Sequence, residues 1–281
     1  MIAMACAPHG DLQIYFDEFG SPEDPVLVLI AGLGSQCLNY PEELCYSFVD
    51  RGLRVIRFDN RDAGLTVGGS DPGYLLSDMA ADLVGLLDHL GIDAAHLWGS
   101  SMGAMIAQTV AIEHPDRAKS LTSVQSTTGE SGYGGPAEGV LESMLDLMGP
   151  VVDRADAVNQ FVKMTHILVN NDEVFDPDAM AIKGAMLFDR ASRPDGTQRQ
   201  VGAILASGHR REGLSALAVP TLVMHGNRDP LIDISGGKRT AELIKGATFE
   251  EIDGMGHDLS QRFWSQYVDL TVAHIARAEG K

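Results

Sequence analysis

The sequence predicts an α/β fold in which a mostly parallel sheet carries helices on both faces. Short apolar runs of strand length alternate with helical patterns up to Val124, and the alternation resumes after Pro220. This order is typical of parallel strands joined by right-handed crossovers. The run Val26–Ile30 contains only valine, leucine and isoleucine, as expected for a strand that is covered on both faces.

The predicted core elements follow one another at regular spacing. Strands are recognised by short β-branched and leucine runs, and helices by apolar residues three or four positions apart. Gly91 and Pro115 are the clearest helix stops. The predicted strands are Leu12–Phe19, Val26–Ile30, Arg54–Phe58, 95–98, 121–124, 220–224 and Thr248–Ile252. The predicted core helices are 41–49, 77–90, 103–114, 237–244 and 259–278.

One long segment interrupts this alternation. Residues 131–215 contain no clear buried strand, and three helical stretches occupy them instead: 140–148, 155–169 and 178–188. We therefore expect a core formed by residues 1–130 and 216–281, with a helical cap inserted at 131–215. The glycine-rich stretch 129–139 is a candidate hinge for this cap.

Composition narrows the classes of partner. Lys and Arg number 21 against 39 Asp and Glu, a net charge of −18, whereas nucleic acids and anionic membranes require a basic surface. The longest apolar run, 26–33, is far shorter than the roughly 20 residues of a membrane-spanning helix. Residues 1–10 contain no Lys or Arg, so we expect no secretory signal. An odd number of cysteines, Cys6, Cys37 and Cys45, favours a reducing compartment, and we expect a cytoplasmic protein.

The strongest chemical signal is the motif Gly99-x-Ser101-x-Gly103, which lies between a predicted strand and a predicted helix. Flanking glycines allow a strand and a helix to pass close together, so that the serine hydroxyl projects from the end of the sheet. The N-terminus of the following helix favours negative charge. Ser101 is therefore the candidate nucleophile, against the alternative of an ordinary turn rich in small residues.

A serine nucleophile needs a base, and the base needs an orienting acid. His257 lies in a glycine loop directly after the last predicted strand, where an open parallel sheet builds its site. Asp229 follows the strand at 220–224, which gives the chain order serine, aspartate, histidine. Glu130 is the reserve candidate for the acid, and His166 is a candidate for lining a pocket.

Two backbone amides are candidates for binding an oxyanion: that of Met102, next to the nucleophile, and that of Leu33, in the glycine loop after Val26–Ile30. The same loop lacks the third glycine of a dinucleotide-binding motif, because position 37 is cysteine. Neither an H-E-x-x-H nor a C-x-x-C motif occurs. We therefore expect neither a metal nor a cofactor.

Together these segments make the chain resemble the α/β-hydrolase superfamily over nearly its whole length. The matching segments are the loop at 32–34, Asp59-Asn-Arg-Asp-Ala-Gly64, Gly99–Gly103, 220–230 and Gly256-His257. The loop at 60–64 and the segment 101–108 are most similar to capped esterases related to aclacinomycin methylesterase. The resemblance implies an eight-stranded sheet, a helical cap, Ser101, Asp229 and His257 as catalytic residues, and Leu33 and Met102 as oxyanion donors.

The expected activity is hydrolysis of a small to medium, neutral or apolar carboxylic ester through an acyl-enzyme. A lactonase, a C–C bond hydrolase or a cofactor-free perhydrolase would use the same three residues, and a catalytically silent ligand-binding homologue is a further alternative. The expected partner is a small-molecule ester, and we expect a monomer or a homodimer. The charged stretches 189–193 and 209–212 are interpreted as solvated surface.

Overall fold

The computed structural model describes residues 5–69, 73–147, 149 and 151–280. Within these residues, eight strands form one sheet. The strands are β1 Cys6–His9, β2 Leu12–Phe19, β3 Val26–Ile30, β4 Arg54–Phe58, β5 Ala95–Ser100, β6 Ala118–Val124, β7 Thr221–Gly226 and β8 Thr248–Ile252.

The order of the strands across the sheet is β1-β2-β4-β3-β5-β6-β7-β8. The first two strands pair antiparallel with each other, and β2 pairs antiparallel with β4. All pairs from β4 to β8 are parallel. The predicted fold class, a mostly parallel sheet in an α/β protein, is therefore confirmed. Strand β5 lies in the middle of the sheet, so its carboxyl end is flanked by the loops that follow β3 and β6.

Ten α-helices lie within the described residues. They are α1 Glu42–Val49, α2 Leu76–His89, α3 Met102–Glu113, α4 Val140–Leu147, α5 Arg154–Val169, α6 Pro177–Arg190, α7 Pro194–Ser207, α8 Arg211–Ala216, α9 Ser235–Leu243 and α10 Trp264–Ala278. The last of these begins later than predicted because a 3₁₀ turn, Gln261–Phe263, precedes it. No helix of the described residues is both long and apolar enough to span a membrane.

Two separate apolar layers cover the two faces of the sheet. Val28 and Ile30 point into a cluster that contains α2 and α3, whereas Leu27 and Leu29 point into a cluster that contains α1 and α10. Successive strand residues face opposite sides of a sheet. This alternation explains why β3 is apolar throughout, and it confirms the prediction of helices on both faces.

Between β6 and β7 the described chain contains α4 to α8, which we call the helical segment. The predicted stretches at 140–148, 155–169 and 178–188 correspond to α4, α5 and α6, although Met148 lies outside the described residues. The helices α7 and α8 were not predicted, nor was strand β1. The interior of α7 contains Gly196 and Gly202 and many polar residues, so its apolar periodicity is weak.

Candidate active site

Ser101 occupies the sharp turn between β5 and α3. Its backbone has φ 56° and ψ −122°, which is strained for a residue with a side chain. Its amide donates to the carbonyl of Val124 at 3.0 Å, and its own carbonyl accepts a hydrogen bond from the Ser126 hydroxyl at 2.9 Å. The end of β6 therefore holds the turn that presents the Ser101 hydroxyl beyond the edge of the sheet.

The two flanking glycines are required by close packing. A Cβ on Gly99 would overlap the carbonyl oxygen of Gly103, and a Cβ on Gly103 would overlap the carbonyl oxygen of Ile30. Neither position has room for a side chain, so helix α3 can approach strands β5 and β3 this closely only with glycine at both positions. The turn of Ser101 thus depends on this pair.

His257 connects Ser101 to Asp229. Its Nε2 lies 3.0 Å from the Ser101 hydroxyl oxygen, and its Nδ1 lies 2.7 Å from Oδ2 of Asp229. The serine and the histidine are 156 positions apart in the chain. They meet because β5 and β8 end at the same edge of the sheet and the loops after β7 and β8 are neighbours. The three candidate residues are therefore in hydrogen-bonding contact, with the histidine between the other two.

The carboxylate of Asp229 is buried and fixed at both oxygens. Its Oδ1 accepts hydrogen bonds from the amides of Leu231 and Ile232, at 3.0 and 2.8 Å. Its Oδ2 faces His257 and also lies 3.3 Å from Nε2 of His225. Burial alone would raise the pKa of Asp229, but attraction to His257 and hydrogen bonds from both histidines outweigh it. The pKa is held well below its usual range, so the group is ionised.

His225 is a further contact of the acid, and the sequence motifs assigned it no catalytic role. Its ring is fully buried, and Nε2 also lies 2.8 Å from the carbonyl oxygen of Ile232. Its Nδ1 has no hydrogen-bond partner within the described residues. Both acceptors face Nε2, which assigns the proton to that nitrogen. The signal in the sequence was a histidine at the end of β7, four positions before Asp229.

The predicted oxyanion amides belong to two segments that adjoin Ser101. Met102 is the first residue of α3, and the loop of Leu33 follows β3, the neighbour of β5. A Cβ on Gly32 would lie 3.3 Å from the Cβ of Ser101 and 3.9 Å from its hydroxyl oxygen. Within the described part of the chain, neither amide has a protein acceptor. Both N–H groups are therefore free of hydrogen bonds to the described residues, as the predicted role as oxyanion donors requires.

The two other candidates lie away from this arrangement. Glu130 pairs with Arg239 at 3.0 Å and with Arg211 at 3.7 Å, and the hydrogen bond from Arg239 lowers its pKa. His166 is half exposed and pairs with Asp172 at 2.7 Å. Neither residue contacts His257 or Ser101, so the structure does not bring them to the site.

Helix α5 contacts the loops of both His257 and Asp229. The amide of His257 donates to the carbonyl of Leu168 at 2.7 Å, and the side chain of Asn170 donates to the carbonyl of Arg228 at 2.9 Å. A Cβ on Gly256 would overlap the carbonyl oxygens of Leu168 and Val169. The end of α5 therefore fixes the loop that carries the histidine.

The interpretation of 189–193 and 209–212 as solvated surface is wrong for two arginines. Arg190 pairs with the fully buried Asp59 at 2.8 Å. Arg210 donates to Oε1 of Gln108 at 2.9 Å and to the carbonyl of Thr127 at 2.8 Å. Both side chains fix the helical segment to the core, and their buried partners could not be identified from the charge pattern alone.

The chemistry available at the site is that of a hydrogen-bonded hydroxyl, imidazole and carboxylate. Among the described residues, no group of three or more His, Cys, Asp or Glu side chains is arranged to hold a metal ion. In such an arrangement a serine can act as a nucleophile, a histidine can take its proton and an aspartate can hold the imidazole tautomer.

This fold and this serine–histidine–aspartate arrangement are typical of one class of protein, the α/β hydrolases. A family model described as the alpha/beta hydrolase fold matches residues 25–260. The chain therefore belongs to the α/β-hydrolase fold family, which confirms the family that the sequence motifs predicted.

Individual relatives are similar along most of the chain. Rhodomycin D methylesterase DnrP of Streptomyces peucetius is 26% identical over 268 residues, covering 89% of this chain and 90% of that protein. The 3-oxoadipate enol-lactonase 2 of Acinetobacter baylyi is 26% identical over 247 residues, covering 86% of each. The crystal structure of a hydrolase from Pseudomonas aeruginosa PA01 superposes with a TM-score of 0.75 at 21% identity, covering 100% and 99% of the two chains. This last similarity concerns the fold alone.

Proposed function

We propose that this protein hydrolyses a carboxylic ester through an acyl-enzyme formed on Ser101. The observation that carries the proposal is the contact of His257 with both partners, at 3.0 Å to the serine hydroxyl and 2.7 Å to the aspartate. These are the distances at which a base can take the serine proton while an acid holds its tautomer.

In the first half of the reaction, the Ser101 oxygen attacks the ester carbonyl carbon while His257 Nε2 takes the hydroxyl proton. The carbonyl oxygen gains negative charge and is held by the amides of Leu33 and Met102. The tetrahedral intermediate then loses the alcohol, which receives the proton from His257. Asp229 remains ionised throughout, because attraction to His257 and the hydrogen bonds from both histidines hold its pKa low, and it stabilises the imidazolium.

In the second half, water attacks the acyl group on Ser101. His257 takes a proton from the water as it attacks, and returns it to the serine oxygen when the acyl–serine bond breaks. The products are the acid and the free enzyme. The same two amides stabilise the second tetrahedral intermediate, because the negative charge develops on the same carbonyl oxygen.

We propose the segment 131–215 as the cap of this active site and a small to medium, neutral or apolar ester as its substrate. The cap assignment is supported by the contacts of α5 with the loops of His257 and Asp229. The substrate class is supported by the net charge of −18, which disfavours the approach of anions. The cytoplasmic location and the monomeric or homodimeric state stay predictions.

A second candidate reaction is hydrolysis of a lactone, which is an internal ester. It is favoured by the similarity to an enol-lactonase over 86% of the chain. The proposed steps apply to it with one difference: the alcohol that takes the proton from His257 stays attached to the acyl group on Ser101. Lactone opening gives one product, whereas ester hydrolysis gives an acid and an alcohol. Mass spectrometry of the products from matched esters and lactones distinguishes the two.

The decisive experiment is a hydrolysis screen of p-nitrophenyl esters of increasing acyl length with the wild-type protein and Ser101→Ala. We expect wild-type turnover that depends on chain length, and a loss of kcat of about 10⁶ in the variant. Labelling by a fluorophosphonate should require Ser101. Full activity of the variant would refute the proposal, and absence of labelling together with tight ester binding would indicate a silent binding protein.

A further inference from the structure

The loop that carries Leu33 is a tight turn held from outside. The amide of Ser35 donates to the carbonyl of Gly32 at 3.2 Å, which closes a four-residue β-turn with Leu33 and Gly34 in the middle. Gly34 has φ +66°, a conformation that the third turn position accepts when it is glycine. We call residues 32–35 the oxyanion turn. Its position decides where the Leu33 amide points.

Gln200 of helix α7 bridges the oxyanion turn and a second core loop. Its side-chain oxygen accepts from the Gly34 amide at 2.7 Å, and its side-chain nitrogen donates to the carbonyl of Arg61 at 2.8 Å. The residue is fully buried. A buried side-chain amide with a hydrogen bond on each side fixes both of its partners, here the Gly34 amide and the Arg61 carbonyl. The loss of either hydrogen bond would leave a buried polar atom unsatisfied.

Helix α7 also packs directly against the oxyanion turn. A Cβ on Gly34 would lie 2.8 Å from the hydroxyl oxygen of Thr197. The side chain of Gln36, one residue after the turn, donates to the carbonyls of Leu187 and Ala191 at the end of α6, at 2.8 and 2.9 Å. Two helices of the helical segment therefore hold the turn and the residue that follows it.

We infer that the helical segment sets the geometry of the oxyanion site, with Gln200 as the positioning residue for the oxyanion turn. This inference rests on the proposed function, since it gives Leu33 the role of an oxyanion donor. Gln200 does not touch the reacting atoms. It acts through the Gly34 amide, by keeping the preceding residue aimed at the carbonyl oxygen next to Ser101.

Gln200→Met tests this, because methionine is similar in length and removes both hydrogen bonds. We expect kcat/KM for a p-nitrophenyl ester to fall about tenfold with KM nearly unchanged, less than the 10²–10³ that follows complete loss of one donor. Affinity for a trifluoromethyl ketone, which forms a charged adduct with the serine, should fall by the same factor. Hydrogen exchange of the Gly34 amide should become faster.

Arg199→Met is the matched control. Arg199 lies next to Gln200 on α7. Its guanidinium donates two hydrogen bonds to the carboxylate of Asp62, at 2.6 and 2.8 Å, and none to the oxyanion turn. This variant loses the contact with Asp62 but keeps both hydrogen bonds of Gln200, so we expect kcat and the trifluoromethyl ketone affinity to stay within twofold of wild type. Equal losses of kcat and of ketone affinity in both variants would overturn the inference. Wild-type values of both quantities in Gln200→Met would also overturn it.

A second substitution covers the case in which Gln200→Met does not fold. Gln200→Asn keeps a polar amide, but its shorter side chain cannot reach Gly34 and Arg61 together, so the same losses are expected. If wild type hydrolyses no ester, the proposed function fails. The exchange rate of the Gly34 amide then tests the positioning role by itself, and no increase in either variant would refute it.

Discussion

Asp229→Asn is the substitution whose effect the geometry predicts most sharply. The two backbone amides of Leu231 and Ile232 donate to Oδ1 of Asp229, so in the variant that place must be taken by the amide oxygen of asparagine. The NH₂ group then takes the place of Oδ2, where it faces Nδ1 of His257 and the Nε2–H of His225. If the asparagine amide were turned by 180°, its NH₂ group would face the two backbone N–H donors of Leu231 and Ile232 instead, which is unfavourable.

The size of the effect follows from the imidazole tautomer. An NH₂ donor in front of Nδ1 requires that nitrogen to be an acceptor, so the proton moves to Nε2, which faces the Ser101 hydroxyl at 3.0 Å. A protonated Nε2 cannot accept the serine proton. The same tautomer change in a serine protease lowers kcat by about 10⁴, which corresponds to about 5 kcal/mol of lost transition-state stabilisation.

The assay is kcat for the best p-nitrophenyl ester of the screen, measured for Asp229→Asn and for Glu130→Gln. Glu130 was the reserve acid, and its contacts are arginines, so its variant should keep kcat within a few-fold of wild type. Circular dichroism of both variants checks that they are folded. Asp229→Asn retaining more than a tenth of wild-type kcat, or Glu130→Gln losing as much as Asp229→Asn, would refute the assignment of the acid.

Three further predictions concern packing and pH. Gly103→Ala should lower the free energy of unfolding by about 1–3 kcal/mol, measured by urea denaturation, because the added Cβ overlaps the carbonyl oxygen of Ile30. Gly202→Ala is the control: a Cβ there meets nothing within 4 Å, so the free energy of unfolding should not fall by this amount. Gly256→Ala should reduce kcat by pushing the histidine loop away from α5, and a normal kcat would contradict that contact. Burial lowers the pKa of His274 from 6.5 to about 4, so the unfolded chain binds its proton first as the pH falls. Stability should therefore drop by about 3 kcal/mol between about pH 6.5 and pH 4, and this part of the drop should be missing in His274→Gln.

The parts of the site that sequence predicted are those specified by local chemistry. Ser101 needs glycines two positions away on each side. The loop of Asp229 follows the apolar, fully buried strand β7, and the loop of His257 follows the short strand β8. Parallel strands bring their carboxyl ends to one edge, so these separate local signals were enough to predict that the three residues meet. Strands β2, β3 and β4 match the predicted bounds for the same reason, since each is a continuous apolar or alternating run.

The parts that sequence missed depend on long-range partners. The polar residues of α7 reduce its apolar periodicity, yet Gln200 among them is fully buried between two core loops. Arg190 was interpreted as surface because nothing near it in sequence indicates Asp59, its buried partner. Buried polar side chains are specified by the atoms that satisfy them, and those atoms lie more than 100 positions away in the chain. Strand β1 was missed because four residues including a proline carry too little pattern.

The separation of 156 positions between Ser101 and His257 has a consequence for biosynthesis. At about 5–20 residues per second, a ribosome makes the histidine about 8–30 s after the serine. During that interval the nascent chain has a nucleophile turn without its base, and β8 has yet to join the sheet beside β7. Recovery of the proposed esterase activity would therefore report the last step of folding, because under the proposed mechanism a chain stopped before residue 257 cannot turn over substrate, even when its earlier strands have assembled.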